Sequence, residues 1–261
     1  MNAHDTQVRQ KALTLLRGGA KNADVARDLG VPAGTISYWK HLDRAKRGEC
    51  PGAHQSVCPR CEGDLDETAY AYLLGLYLGD GHIIQNRSMR TPSLSVVCTE
   101  SWPGLMNACE SAMRLVFPNN SVCRVRRKGC REIKVYSKHI WCLFPQHGPG
   151  KKHKRPIVLE SWQRKLVDSH PWEFVRGLIH SDGCRMVNWA TRMVRGERKR
   201  YEYPRYFFAN KSDDIRTLYT DTLDRLGVEW THCTRGGAPF NISVAKKASV
   251  ALMDLHVGPK Y

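Results

Sequence analysis

Asp80 and Asp182 are the two residues of this chain best placed to do chemistry together, because each closes the same nine-residue phrase. The first copy reads Leu73-Leu74-Gly75-Leu76-Tyr77-Leu78-Gly79-Asp80-Gly81 and the second Val175-Arg176-Gly177-Leu178-Ile179-His180-Ser181-Asp182-Gly183. The acids are 102 residues apart, about one small domain, which points to a duplicated unit. Two carboxylates brought side by side repel unless something positive lies between them, and an oxygen-seeking divalent cation such as Mg2+ is the usual solution. A second cluster with chemistry in it is Cys50, His54, Cys58 and Cys61. Cys58-x-x-Cys61 has half of a zinc-knuckle spacing, and Cys50 with His54 could complete four ligands for a structural Zn2+. The competing expectation is an unmetallated linker with free thiols.

The acids need elements to hold them. Gly75 and Gly79 are four residues apart on one helix face, and Gly177 and Ser181 repeat that spacing, so two helix backbones can approach closely there. The acids at the ends of those helices would then lie side by side. The bland reading is that Gly-x-x-x-Gly packs a core and each Asp-Gly ends a helix. After Asp80 the pattern predicts strands at His82–Ile84 and Ser93–Thr99, a helix Trp102–Phe117, strands Val122–Arg127 and Glu132–Ser137, and a short helix Lys138–Phe144. After Asp182 the series recurs: Cys184–Arg192, Tyr203–Asn210, a helix Asp213–Leu226, strands Glu229–Thr234 and Phe240–Val244, and a helix Lys247–Leu255. The expected body is α+β, with α-β-β-α-β-β-α twice, over 67–160 and 161–261.

Ahead of it, residues 1–45 read as three short helices with the spacing of a helix-turn-helix. Ala26, Leu29, Val31, Ile36 and Trp39 would face inward, leaving Gly34, Thr35, Ser37, Tyr38 and Lys40 for base or phosphate contact. A three-helix bundle for protein contacts is the alternative. Residues 46–66 form the Cys-rich linker.

Forty-one Lys and Arg against 25 Asp and Glu give a formal charge of +16 over 261 residues, which favours a polyanionic partner, nucleic acid first. No apolar run approaches the ~20 residues of a membrane span, and the start MNAHDTQVRQ lacks the apolar core of a signal peptide, so no membrane is expected and the cytoplasm is the expected compartment. Basic residues alternate along the expected strands. Arg124 and Arg126 flank Val125, and Lys134 lies between Ile133 and Val135, so one sheet face would be apolar and the other positive. The turns Arg127-Lys128 and Arg195 to Arg200, with Arg198, Lys199 and Arg200, would reach along a phosphate backbone.

The repeated phrase resembles the LAGLIDADG motif of homing endonucleases, in the two-motif form, from about Asp66 to Tyr261. The resemblance implies a pseudo-symmetric saddle of two sheets over double-stranded DNA, formed by a monomer with an internal two-fold. It implies that Asp80 and Asp182, each at the final acidic position of its motif, hold the metal ions that activate water and stabilise the leaving oxygen at two scissile phosphates, leaving short 3′ overhangs. The earlier motif acid is replaced here by Leu78 and His180. Enzymes of this family often carry a basic residue after the last helix of each half, and the Gly-Pro echoes His147-Gly148-Pro149-Gly150-Lys151-Lys152 and His256-Val257-Gly258-Pro259-Lys260 offer Lys151 and Lys260, with Lys152 and Lys154 not separable from Lys151. Neither end carries intein splicing residues, so a free-standing protein is expected. The implied activity is Mg2+-dependent, site-specific cleavage of double-stranded DNA; the alternatives are a non-cleaving transcriptional regulator with the same fold and, more remotely, an RNA-directed maturase.

Overall fold

The computed structural model describes residues 6–47, 57–85, 91–233 and 240–261, and contacts divide the chain into two units, Met1–Val57 and Cys58–Tyr261. Cys50 and His54 lie outside the described residues.

The first unit is three helices, α1 (Thr6–Arg17), α2 (Asn22–Leu29) and α3 (Ala33–Lys46). Gly30 ends α2 in the left-handed region at φ 62°, where its N–H reaches the carbonyls of Ala26 and Arg27. Ala12, Leu16, Val25, Val31, Ile36 and Trp39 make the core. Val25 takes the innermost position of α2, while Ala26 and Leu29, expected inside, are only partly buried against it.

The second unit contains the repeated phrase as two helices, α4 (Glu67–Gly79) and α8 (Pro171–Asp182). The Asp66 carboxylate starts α4 by accepting the Ala69 N–H at 2.8 Å. Every residue from Ala69 to Leu78 is buried, as a helix apolar on all sides must be. α4 packs most extensively against α8. A Cβ on Gly75 would lie 2.5 Å from the Phe174 carbonyl oxygen, and one on Gly177 2.2 Å from that of Tyr72, so the helices touch backbone to backbone.

From α4 the chain runs through β1 (Gly81–Ile84), β2 (Ser93–Thr99), α5 (Pro103–Val116), β3 (Val122–Arg127), β4 (Cys130–Tyr136) and α6 (Ile140–Leu143). A helix without a forecast, α7 (Ser161–Ser169), precedes α8; its start is fixed by a capping box between Glu160 and Gln163. After α8 come β5 (Gly183–Val194), β6 (Glu197–Ala209), α9 (Asp213–Arg225), β7 (Thr231–Cys233), β8 (Asn241–Val244) and α10 (Lys247–His256). The sheets are ordered β1-β2-β4-β3 and β5-β6-β8-β7 with antiparallel pairing throughout. Strand order is therefore duplicated along with the sequence, and the fold is α+β. Both repeats share one hydrophobic core.

The sheets differ in reach. β5 and β6 stay paired out to Val194↔Glu197, across a two-residue turn in which Arg195 and Gly196 have φ of 52° and 81°, the both-positive geometry of a type I′ hairpin. β8 pairs only with Tyr206 to Ala209, so the far part of the hairpin is a two-stranded ribbon. Arg198, Lys199 and Arg200, expected in a loop, are strand residues of β6. Among the described residues no helix is long and apolar enough to cross a membrane.

Candidate active site

Both acids stand at the point where a helix gives way to a strand. Asp80 caps α4 and Gly81 opens β1, while Asp182 ends α8 and Gly183 opens β5. The glycines make this possible, since a Cβ would lie 2.5 Å from Tyr77 Cα at Gly81 and 2.8 Å from Ile179 Cα at Gly183. At the same level a Cβ on Gly79 would come within 2.4 Å of Ser181 Cβ and 3.1 Å of Asp182 Oδ2. The helix crossing thus carries the acid of one repeat to the backbone of the other. Burial raises the pKa of Asp80 above the usual carboxylate range, with Lys260 and Lys152 pulling the other way. Burial, and then the charge of Asp80, push Asp182 up to about 6, although Asn210 Nδ2 donates to its Oδ2 at 2.6 Å. Asp80 is exposed at its helix end and Asp182 half-buried, and the charges of Lys152 and Lys260 act on both.

A lysine meets each helix end. Lys152 Nζ donates to the carbonyls of Gly79 at 2.8 Å, Gly81 at 2.6 Å and Tyr77, and Lys260 Nζ donates to that of Ser181 at 2.8 Å. Each cation satisfies carbonyls at the negative end of a helix. Burial lowers Lys152 to about 8 against the attraction of Asp182 and then Asp80, and lowers Lys260 against that of Asp80 first. Each lysine therefore answers most strongly to the acid of the opposite repeat. Of the three lysines that the sequence left inseparable, Lys151 is exposed ahead of a short 3-10 turn, Lys152–Lys154, and Lys152 takes the inward position. A signal for this exists in the sequence. Gly150 and Gly258 both adopt left-handed φ, 80° and 70°, and the inward lysine is the second residue after each. Lys260 is anchored in turn by Tyr261, whose carbonyl accepts the Leu105 N–H at 3.1 Å and whose ring covers Gly104.

Gly79, Gly81, His82, Asp182 and Asn210 line a cleft of about 460 Å³ together with Lys151, Lys152 and Lys211. Its carboxylate is that of Asp182, an oxygen donor of the kind a hard divalent cation takes. Asn210 carried no motif signal. It follows β6 directly, and its role emerges only from the strand's register with Gly183, Gly183↔Phe208.

No family model and no curated protein matches the chain. Solved structures do. A structure of mesophilic variants of the homing endonuclease I-DmoI is 14% identical with a TM-score of 0.47, covering 73% of this chain and 89% of that one. I-DmoI in complex with DNA and Mn is 15% identical with a TM-score of 0.46, covering 75% and 98%. The LAGLIDADG meganuclease I-AabMI bound to uncleaved DNA is 12% identical with a TM-score of 0.43, covering 72% and 84%. The structural neighbours are LAGLIDADG homing endonucleases.

Alternation along the strands implied sheets with an apolar face toward the helices and a positive outer one, and the strand register revises which residues lie on each. Ile133 and Val135 are buried with Leu94 and Val96, their partners on β2. Arg124 pairs with Ile133, so it lies on that inner, helix-facing side. There it binds Glu110 and, at 2.7 Å, Asn107 Oδ1, both on α5. Arg126 is on the same side, opposite Arg131. The expected assignment of Arg124 and Arg126 to the outer face is thus corrected: counting alternation along one strand gives two faces but not which one meets the helices. The outer face carries Lys134 and Arg127, both bound to Glu132 at 3.1 and 2.9 Å, and His82 opposite Ser95. In the second sheet Lys199 shares a face with Phe207, whereas Arg198 and Arg200 lie on the other, Arg200 stacking over Trp189 at 5.0 Å. Lys128 is exposed in the turn between β3 and β4. His180, at the departed motif position, is buried and bonds to Tyr72 OH through Nδ1 at 2.9 Å; burial lowers it to about 4.

In the three-helix unit, Ser37 and Tyr38 are exposed on α3 and Thr35 is half-buried. Asn22 on α2 ties to Ser37 at 3.0 Å and to Lys40 Nζ at 3.3 Å.

Proposed function

We propose that this protein is a site-specific double-stranded DNA endonuclease that hydrolyses phosphodiesters with a divalent cation, Mg2+ by preference, held by Asp80 and Asp182. The observation that carries this reading is the pair of carboxylates at two abutting helix ends, each end also meeting a lysine. When bound, the ion would supply Lewis-acid chemistry to the phosphodiester. Asn210 fixes Oδ2 of Asp182. Lys152 and Lys260, already oriented by helix-end carbonyls, bring positive charge to the phosphate without further reorganisation. Water adds across one P–O bond per strand, leaving a phosphate monoester on one fragment and a hydroxyl on the other.

The charge of +16 supports a polyanionic substrate. The outer sheet faces, with His82, Arg127 and Lys134 on one and Lys199 on the ribbon of the other, would read duplex DNA as a monomer with an internal pseudo-two-fold. In this reading residues 1–45 are a helix-turn-helix domain whose Thr35, Ser37, Tyr38 and Lys40 add recognition length. The protein would act in the cytoplasm, where its thiols stay reduced.

The test is a plasmid pool incubated with pure protein and Mg2+, beside Asp80→Asn and Asp182→Asn. Cutting by the parent alone is expected. Cutting that survives both substitutions would refute the assigned site, and binding without cutting by the parent would favour the regulator.

A further inference from the structure

Three thiols meet at a point that the duplicated body does not require for its chemistry. Cys58 and Cys61 lie at the start of the second unit in a tight turn, where Glu62 and Gly63 both donate N–H bonds to the Cys58 carbonyl at 3.0 and 3.1 Å. Cys142 belongs to α6, at the far end of the first repeat, and its Sγ is 3.3 Å from that of Cys61. All three Sγ atoms lie within 4.8 Å of one another.

Geometry separates the two things such thiols can do. Tetrahedral zinc with Zn–S bonds of ~2.3 Å holds its sulfurs ~3.8 Å apart, inside the spread found here. A disulfide needs ~2.05 Å, more than 1 Å of further closure, and would leave the third thiol unused. The surroundings also suit an anionic cluster. Arg60 Nη1 is 3.4 Å from Cys142 Sγ and from the Cys142 carbonyl oxygen, and its guanidinium is steadied 4.5 Å above the Trp162 ring. Cys58 is buried, while Cys61 is exposed and leaves access for an ion.

We propose that Cys58, Cys61 and Cys142 bind one Zn2+ as a structural clasp, with Cys142 as a third ligand beside the C-x-x-C pair. The ion displaces the thiol protons to solvent as it binds, and one position of its tetrahedron is left for a fourth donor. The clasp joins the entry of the second unit to α6. The next residue, Leu143, accepts hydrogen bonds from Tyr70 on α4 and Gln163 on α7, so the clasp braces the start of the motif helix that ends at Asp80. This inference is independent of nuclease activity.

The experiment uses the full chain purified under reducing conditions. Zinc is measured by elemental analysis, and Co2+ replacement is followed through its thiolate charge-transfer and tetrahedral d–d absorption. The parent should hold one zinc per chain, and so should Cys123→Ser, which removes an exposed thiol elsewhere. Cys61→Ser and Cys142→Ser should each lose at least tenfold in zinc affinity, while Cys142→His, which keeps a ligand, should recover part of it. The parent's cobalt spectrum reports thiolate ligation even if a serine variant fails to fold. Parent protein that takes up no zinc from added ZnCl2, a Cys142→Ser variant with parental affinity, or a Cys61–Cys142 disulfide in the reduced preparation would each overturn the clasp.

Discussion

Replacing Gly177 with alanine tests the claim that the acids are set by helix contact. The added Cβ would lie 2.2 Å from Tyr72 O, 2.9 Å from Gly75 Cα and 3.0 Å from Leu76 N. All three are backbone atoms, which cannot rotate away, so α4 and α8 must separate by about 1 Å to reach ordinary carbon contact at ~3.5 Å. Overpacking of this kind costs ~1–3 kcal/mol, and an immovable backbone puts this site at the upper end. Alanine's better helix propensity returns up to ~1 kcal/mol. The net expectation is a loss of about 2 kcal/mol, read as a fall of about 1 M in the urea midpoint of the second unit for a slope near 2 kcal/mol per M. Mg2+ affinity should fall too, because the separation opens the carboxylate pair. Gly34→Ala is the control: in α3 the new methyl meets nothing within 4 Å, so the same chemical change should leave the first unit as stable or slightly more so. An unchanged midpoint for Gly177→Ala, with Mg2+ affinity intact, would refute the reasoning.

Asp182, raised to about 6, must lose its proton to ligate, so Mg2+ affinity should climb as pH rises through 6 and level off above it; calorimetric titration from pH 5 to 8 that shows no pH dependence contradicts this. Lys152→Met should abolish most cleavage while leaving DNA binding measurable, and Lys151→Met should leave both near parental values; the reverse ranking in a plasmid assay would restore Lys151. Burial alone would raise Glu132, yet bonds from Arg127 and Lys134 hold it at about 2, below its usual 4.5. Its contribution to stability is thus complete above pH 4.5 and lost as pH falls towards 2, on the order of 2 kcal/mol after screening; Glu132→Gln should flatten that part of the urea-midpoint profile. Lys199→Ala should lower the slope of log affinity against log salt by about one unit, whereas Arg124→Ala should leave the slope alone and destabilise the fold through its lost α5 contacts.

Apart from α7, the succession of helices and strands in the body was legible because duplication supplies its own control: a weak strand signal such as His82–Ile84 gains weight when a longer counterpart recurs after Asp182. Asp80, Asp182 and the glycine face were legible for the same reason. The choice among Lys151, Lys152 and Lys154 stayed open because the two terminal turns align on Gly-Pro, whereas the left-handed glycines Gly150 and Gly258 set which lysine turns inward. Arg124 illustrates a different limit. Period-two alternation cannot say which face meets the helices, and an acid on α5, Glu110, turned an apparent substrate contact into an internal one. Asn210 and Cys142 were out of reach because their partners come from register and helix docking, which no local pattern encodes.

The anchoring of Lys260 makes the two halves mechanically answerable to each other. Its ammonium serves the end of α8, in the second repeat, but the residue beside it, Tyr261, is seated on the first turn of α5, in the first. A substrate that tilts the first sheet and drags α5 with it therefore moves a cation at the opposite helix end, one peptide away. Under the proposed cleavage the two strand breaks would then be coupled, because displacement at one half-site would reach the charge that serves the other along a single peptide.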